Sequence, residues 1–279
     1  MQTVHRPPST VHRKMPKIYA KKSYGQHFLR DESIAERVSE GLLQAGKIGR
    51  VLEVGPGTGM LTKYLLQHSE YETFAVEADH DMVDFLTKNY PDFAPARLTF
   101  KDFLDFDPKT VFGDKEFCLI GNFPYNISTQ ILFRLLELRD QIPEMVGMYQ
   151  KEVADRIVSE PGSRVYGITS VIAQAFYKTE YLFTVEQNAF NPPPKVMSAV
   201  IRLTRKDGFV LGCDEALFRK MVKTAFNQRR KMLRNTLKPF FPNELLMEDP
   251  YFQKRPEQLG WQEYEQLAAK VSGDFEPTP

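Results

Sequence analysis

Asn122, Phe123, Pro124 and Tyr125 follow directly on an apolar run over 117–121. Those four residue types suit one kind of chemistry, transfer of a methyl group to the exocyclic amine of a nucleobase. An adenine N6 lone pair is delocalised into the ring, and the nitrogen is a poor nucleophile until it re-hybridises. The side-chain carbonyl of Asn122 and the main-chain carbonyl of Phe123 can accept the two N–H bonds of such an amine, which aims the developing lone pair at an electrophilic carbon. No strong general base is then required at the outset. Pro124 fixes the turn so that a carbonyl faces inward, and the Tyr125 ring is a surface on which an extruded base can stack. An Asn or a Pro after a strand is on its own an ordinary turn; the tetrapeptide beside a glycine loop says more.

That loop lies upstream. An apolar run over 51–54 leads into Gly55, Pro56, Gly57, Thr58 and Gly59, where glycines let the chain turn sharply and let a ligand lie against the backbone. About 20 residues further on, Glu77 ends the next strand and can accept from ribose hydroxyls. Asp102 ends a third strand and can accept from an adenine amino group. A nicotinamide fingerprint needs a third glycine where Met60 stands, whereas Glu53 ahead of Gly55, Gly57 and Gly59 is the S-adenosylmethionine form of the loop. A further aromatic, Phe190, opens a stiff segment through Pro192, Pro193 and Pro194 to Ser198, and can close a sandwich over a flipped base. Read blandly, the same segment is a rigid hairpin loop with a buried Phe.

The elements needed to position these groups can be read from periodicity. Helix and strand alternate from about Ser33: a helix over 34–45, strands over 51–54, 73–77, 98–101 and 117–121, with a helix after Thr58 and another capped by Asp79. Helices over 127–138, 153–158 and 168–176 follow, with strands over 145–149, 181–186 and 199–203. Alternation of this kind predicts an α/β fold with a parallel sheet covered on both faces, and the last two strands predict an antiparallel hairpin at one edge. Beyond about Gly208 the alternation gives way to helices. The expected division is a basic arm over 1–20, a catalytic domain over 21–207 and a helical domain over 208–279.

Composition narrows the class. With 42% hydrophobic and 26% charged residues, the chain is predicted to be globular. No apolar run approaches the roughly 18 residues of a membrane span, so the expectation is a cytosolic protein with no membrane partner. The two cysteines, Cys118 and Cys213, make no disulfide framework and lie in no zinc-binding spacing, and Cys118 reads as a small core residue. The net charge of +1 conceals segregation: no acid occurs before Asp31, and none lies between Glu215 and Glu244, where Arg219, Lys220, Lys223, Arg229, Arg230, Lys231, Arg234 and Lys238 gather. Phe218, Met221, Val222, Ala225 and Phe226 form an apolar stripe there, which leaves a basic face for phosphates.

Taken together, these motifs resemble the ribosomal RNA adenine dimethyltransferase family of the kasugamycin-resistance type, from about Lys21 to at least Leu237. Gly25, Gln26, His27, Phe28 and Leu29 resemble the family's N-terminal cofactor lid, with His27 where the family usually has Asn. The glycine loop, Glu77, Asp102, the box from Asn122 to Tyr125 and the arm from Phe190 to Ser198 follow in the family's order. Gln228 to Lys231, Leu233, Arg234 and Asn235 resemble its C-terminal signature, which favours it over the alternatives, the macrolide-resistance dimethyltransferases of large-subunit RNA that share the catalytic boxes and a mainly non-catalytic ribosome-assembly binding factor. The resemblance implies a Rossmann-like class I methyltransferase sheet, mostly parallel, with a small C-terminal all-helical domain. It implies S-adenosylmethionine held by Gln26, His27, Leu29, Gly55, Gly57, Glu77, Asp102 and Asn122. Catalysis falls to Asn122, Phe123, Pro124, Tyr125 and Phe190, and RNA contact to Lys195, Arg229, Arg230, Lys231 and Arg234. The implied reaction is dimethylation of two adjacent adenines in the terminal hairpin loop of small-subunit RNA, by a monomer acting on the pre-30S particle.

Overall fold

In a computed structural model that describes Lys21 and residues 25–272, the apolar runs become strands buried on both faces; the expected basic arm over 1–20 lies outside the described residues. The strands are β1 (Phe28–Leu29), β2 (Arg50–Val54), β3 (Glu72–Glu77), β4 (Leu98–Phe100), β5 (Cys118–Asn122), β6 (Glu144–Gln150), β7 (Tyr177–Val185), β8 (Phe190–Asn191) and β9 (Ser198–Arg205). Seven of them form one sheet in the order β4-β3-β2-β5-β6-β9-β7. The pairs from β4 through β6 are parallel; β9 runs antiparallel to both β6 and β7, so the expected hairpin closes one edge. Residues such as Leu119, Ile120 and Val146 are fully buried, as continuous apolar strands of a helix-covered parallel sheet must be.

One helix departs from its predicted span. The stretch over 34–45 is two helices, Glu32–Ser39 and Ala45–Ile48. The first starts where Asp31 accepts from the amides of Ser33 and Ile34. It stops because the fully buried Glu144 of β6 accepts the amides of Leu43 and Gln44 at 3.1 and 2.8 Å, drawing the chain onto the sheet. The helix after Thr58 is correspondingly short, Thr62–Leu65.

Beyond β9 the chain is helical, chiefly Glu215–Asn227 and Trp261–Ser272. Phe218, Met221, Val222 and Ala225 are fully buried against helix Ile168–Phe176, each large side chain contributing about 1.5–3 kcal/mol. Phe218 and Tyr264 belong to the same apolar cluster as Leu52 and Leu119 of the sheet. The change near Gly208 is thus one of architecture, without a break in the core. Among the described residues no helix is long and apolar enough to cross a membrane, and no group of three or more His, Cys, Asp or Glu is placed to hold a metal ion.

Candidate active site

The order of strands reverses between β2 and β5, and in an open α/β sheet the crevice outside the carboxyl ends at that point is where ligands lie. There a single cleft is lined by the glycine loop, Glu77, Asp102 and the stretch from Asn122 to Tyr125. Gly55 has φ +67° and nothing within 4 Å of a notional Cβ, so its backbone is open to a ligand. Glu77, only 6% exposed, accepts from the amides of Gly57 and Asp79 at 3.0 and 2.9 Å, and each oxygen keeps a lone pair. Burial raises its pKa, and the backbone amides offset this only in part. Asp102 accepts the Leu104 amide at 2.9 Å through Oδ1, with Oδ2 left for a ligand. Behind the loop, Glu53 accepts from the Thr62 hydroxyl at 2.6 Å; burial, reinforced by the charge of Glu77, pushes it up to about 8.

A strap made by Lys21 and residues 25–29 crosses this cleft. Lys21 Nζ lies 2.6 Å from Asp79 and 2.7 Å from Asp81, and Gln26 Nε2 donates to Asp79 at 2.9 Å. Gln26 Oε1 accepts the Lys21 amide at 2.9 Å, so the Gln26 side chain fastens the strap with both of its polar ends. Further along, β1 pairs with β8, Phe28 opposite Asn191 and Leu29 opposite Phe190. Leu29 and the ring of Phe28 line the cleft from above, and a Cβ on Gly57 would come within 3.2 Å of that ring. His27 Nδ1 lies 2.8 Å from the Pro192 carbonyl, which can only accept, so Nδ1 carries the hydrogen.

Asn122 ends β5, and its Nδ2 donates to the main-chain carbonyl of His27 at 3.1 Å. Among the described residues no hydrogen bond reaches its Oδ1, which is left as an acceptor. The Phe123 amide donates to Met148 at 3.2 Å, and among the described residues no hydrogen bond reaches the Phe123 carbonyl. The Phe123 ring seats edge-on against Tyr149, centroids 5.2 Å apart, in space left by two strand glycines. A Cβ on Gly121 would stand 2.7 Å from that ring, and one on Gly147 would collide with it. Glycine inside a strand signals such an approach, so Gly121 and Gly147 are the sequence features from which this seat could have been found. The Tyr125 hydroxyl bonds to the buried Ser198 hydroxyl, and its ring stacks on His27, centroids 5.3 Å apart at 29°. Burial raises the Tyr125 pKa, the Ser198 bond opposing it.

Two expected contributors stand elsewhere. Phe190 is 1% exposed and packs in a cluster with Ala35, Val185 and Val200; it is behind the cleft wall, so in this conformation its ring closes no sandwich with Tyr125. Arg229 donates to the Ser163 carbonyl at 3.1 Å and lies 3.7 Å from Glu257, ties that fold it into the helical region and away from a free phosphate-binding role. Arg219 likewise pairs with Glu215 at 2.8 Å. Arg230, Lys231 and Lys195 are exposed, and Arg234 is half-buried.

Comparison with known proteins agrees with this geometry. The family model described as Ribosomal RNA adenine dimethylase matches residues 18–255. A protein named Ribosomal RNA small subunit methyltransferase A from Flavobacterium johnsoniae is 53% identical, over 93% of this chain and 98% of its own length. One of the same name from Cytophaga hutchinsonii is 50% identical, over 93% of this chain and 100% of its own. In fold, the chain is similar to a dimethyladenosine transferase from Plasmodium falciparum (TM-score 0.74, 24% identity, 89% of this chain and 98% of that one). It is also similar to the 23S rRNA methyltransferase ErmE (TM-score 0.65, 24% identity, 86% and 99%). A sheet with its cleft at the reversal point, an asparagine lining that cleft, and a family match over most of the length lead to one conclusion: the chain belongs to the ribosomal RNA adenine dimethylase family.

Proposed function

We propose that this enzyme transfers methyl groups from S-adenosylmethionine to N6 of two neighbouring adenines in the terminal hairpin loop of small-subunit ribosomal RNA, as a monomer acting in the cytosol on the assembling subunit. The observation that carries the reading is the hydrogen bond of Asn122, a residue lining the cleft, whose nitrogen is spent on the His27 carbonyl so that its oxygen remains to accept from a substrate amine. The donor supplies, when bound, a methyl group on a cationic sulfur that a neutral amine can displace. The open backbone at Gly55, the spare lone pairs of Glu77 and the free oxygen of Asp102 fit the donor's amino-acid, ribose and adenine parts.

On the substrate side, Tyr125 supports the extruded base. In the first transfer Asn122 Oδ1 and the Phe123 carbonyl accept its two amine hydrogens, and in the second one of them accepts the hydrogen that remains, each time favouring a pyramidal nitrogen whose lone pair is free for the methyl. Neither oxygen takes the proton, which passes to water once N6 carries the methyl. Exposed Arg230, Lys231 and Lys195 suit contact with phosphates. The names of the two relatives favour the small subunit. The test is incubation with labelled donor and purified, unmodified small or large subunits, followed by mass spectrometry of the digested RNA. N6,N6-dimethyladenosine at two adjacent small-subunit positions is expected; label confined to large subunits, or none in either, overturns the proposal.

A further inference from the structure

We infer that His27 is a positioning residue for methyl transfer, setting the Asn122 amide with its oxygen toward the substrate amine. The inference rests on the proposed role of Asn122. A primary amide presents an acceptor or two donors depending on which way it is turned, and an N–H facing the substrate amine would repel it. What turns it here is the His27 carbonyl, 3.1 Å from Nδ2, since a carbonyl can only accept. That carbonyl is held in turn by its own side chain. Nδ1–H donates to the Pro192 carbonyl at 2.8 Å, and the imidazole lies against Tyr125, centroids 5.3 Å apart. His27 thereby links the strap, the amine-binding asparagine, the stacking tyrosine and the proline arm. Both the neutral ring in this tautomer and the protonated ring carry a hydrogen on Nδ1, so the link does not require His27 to change its charge.

Two substitutions in the full chain test this, with unmodified small subunits and S-adenosylmethionine as substrates. His27→Ala removes ring and donor; His27→Asn keeps a donor for Pro192. Thermal melting and calorimetric binding of S-adenosylhomocysteine establish that each variant is folded. His27→Ala should lower kcat about 10- to 100-fold, over and above any change in KM for the donor, as loss of alignment does. His27→Asn should recover most of that loss, and the pH profile of kcat should keep one shape in all three proteins. Several results overturn the inference. An unchanged kcat with a raised donor KM would make His27 a cofactor contact only. A gain in kcat/KM for RNA would make the ring a plug over Tyr125. An acid limb present in the wild type and missing in His27→Asn would make Nε2 a proton acceptor. Asn122→Ala separates the two levels: if it stays fully active, the reading of the site fails, whereas an inactive Asn122→Ala beside an unimpaired His27→Ala sinks this inference alone.

Discussion

Tyr90 donates its hydroxyl to the main-chain carbonyl of Gly59 at 3.0 Å, while its ring stands 2.6 Å from where a Cβ on that glycine would be. The third glycine of the loop is thus held by a side chain from the end of helix His80–Asn89, at φ +80°. Gly59→Ala should cost about 1–2 kcal/mol for the left-handed backbone and roughly as much again for the collision with Tyr90. In a Tyr90→Ala background only the first cost should remain, and a double-mutant cycle from urea denaturation measures the difference. Equal effects in both backgrounds would show that Tyr90 does not constrain the loop.

The sheet and the cleft at its carboxyl edge are legible in the sequence because their causes are local. Strands buried on both faces need unbroken apolar runs such as Cys118–Leu119–Ile120, and the glycine loop sits directly after one of them. The features that escaped depend on partners distant in sequence. Leu43 is captured by Glu144, 101 positions along the chain, and nothing near Leu43 announces it. The two-residue pairing of β1 with β8 is too short to carry a period. Arg229 looks like its neighbour Arg230 until Ser163 and Glu257 are seen to hold it.

Glu53 should make stability fall with rising pH. A glutamate in the unfolded chain ionises near 4.5, whereas in the folded chain burial, with Glu77 adding to it, defers ionisation to about 8. A raised folded pKa means that the contribution is intact below the unfolded value and lost as pH climbs through the folded one. Glu53→Gln keeps an oxygen for the Thr62 hydroxyl and never ionises. It should match the wild type near pH 5 and exceed it near pH 8.5, by on the order of a few kcal/mol. Urea midpoints at the two pH values decide it, and a gap that does not widen with pH would contradict the assignment.

The basic residues of the helical region should divide by their partners. Exposed Arg230 and Lys231, replaced together by Ala, should reduce the slope of log affinity against log salt for RNA by about 1.5. Arg229→Ala should leave the slope nearly unchanged and instead lower stability by about 1 kcal/mol, since the Ser163 carbonyl loses its donor. Filter binding across a salt series, paired with thermal melts, separates them. A slope that falls for Arg229→Ala would return this residue to the RNA surface.

Tyr125 and Phe190 should part in the same way. Tyr125 is half-buried at the cleft with its ring against His27, so Tyr125→Phe, which removes only the Ser198 bond, should retain a stacking surface and most of the turnover. Tyr125→Ala should impair turnover while leaving S-adenosylhomocysteine affinity nearly intact by calorimetry. Phe190 is sealed in the core, so Phe190→Ala should first open a cavity and cost about 3–5 kcal/mol of stability, read as a shift in the urea midpoint. Phe190→Leu fills most of that volume without offering an aromatic face. If Phe190→Leu turns over as the wild type does, the ring serves packing; if it folds normally yet loses turnover as Tyr125→Ala does, the arm must swing Phe190 into the cleft when RNA binds.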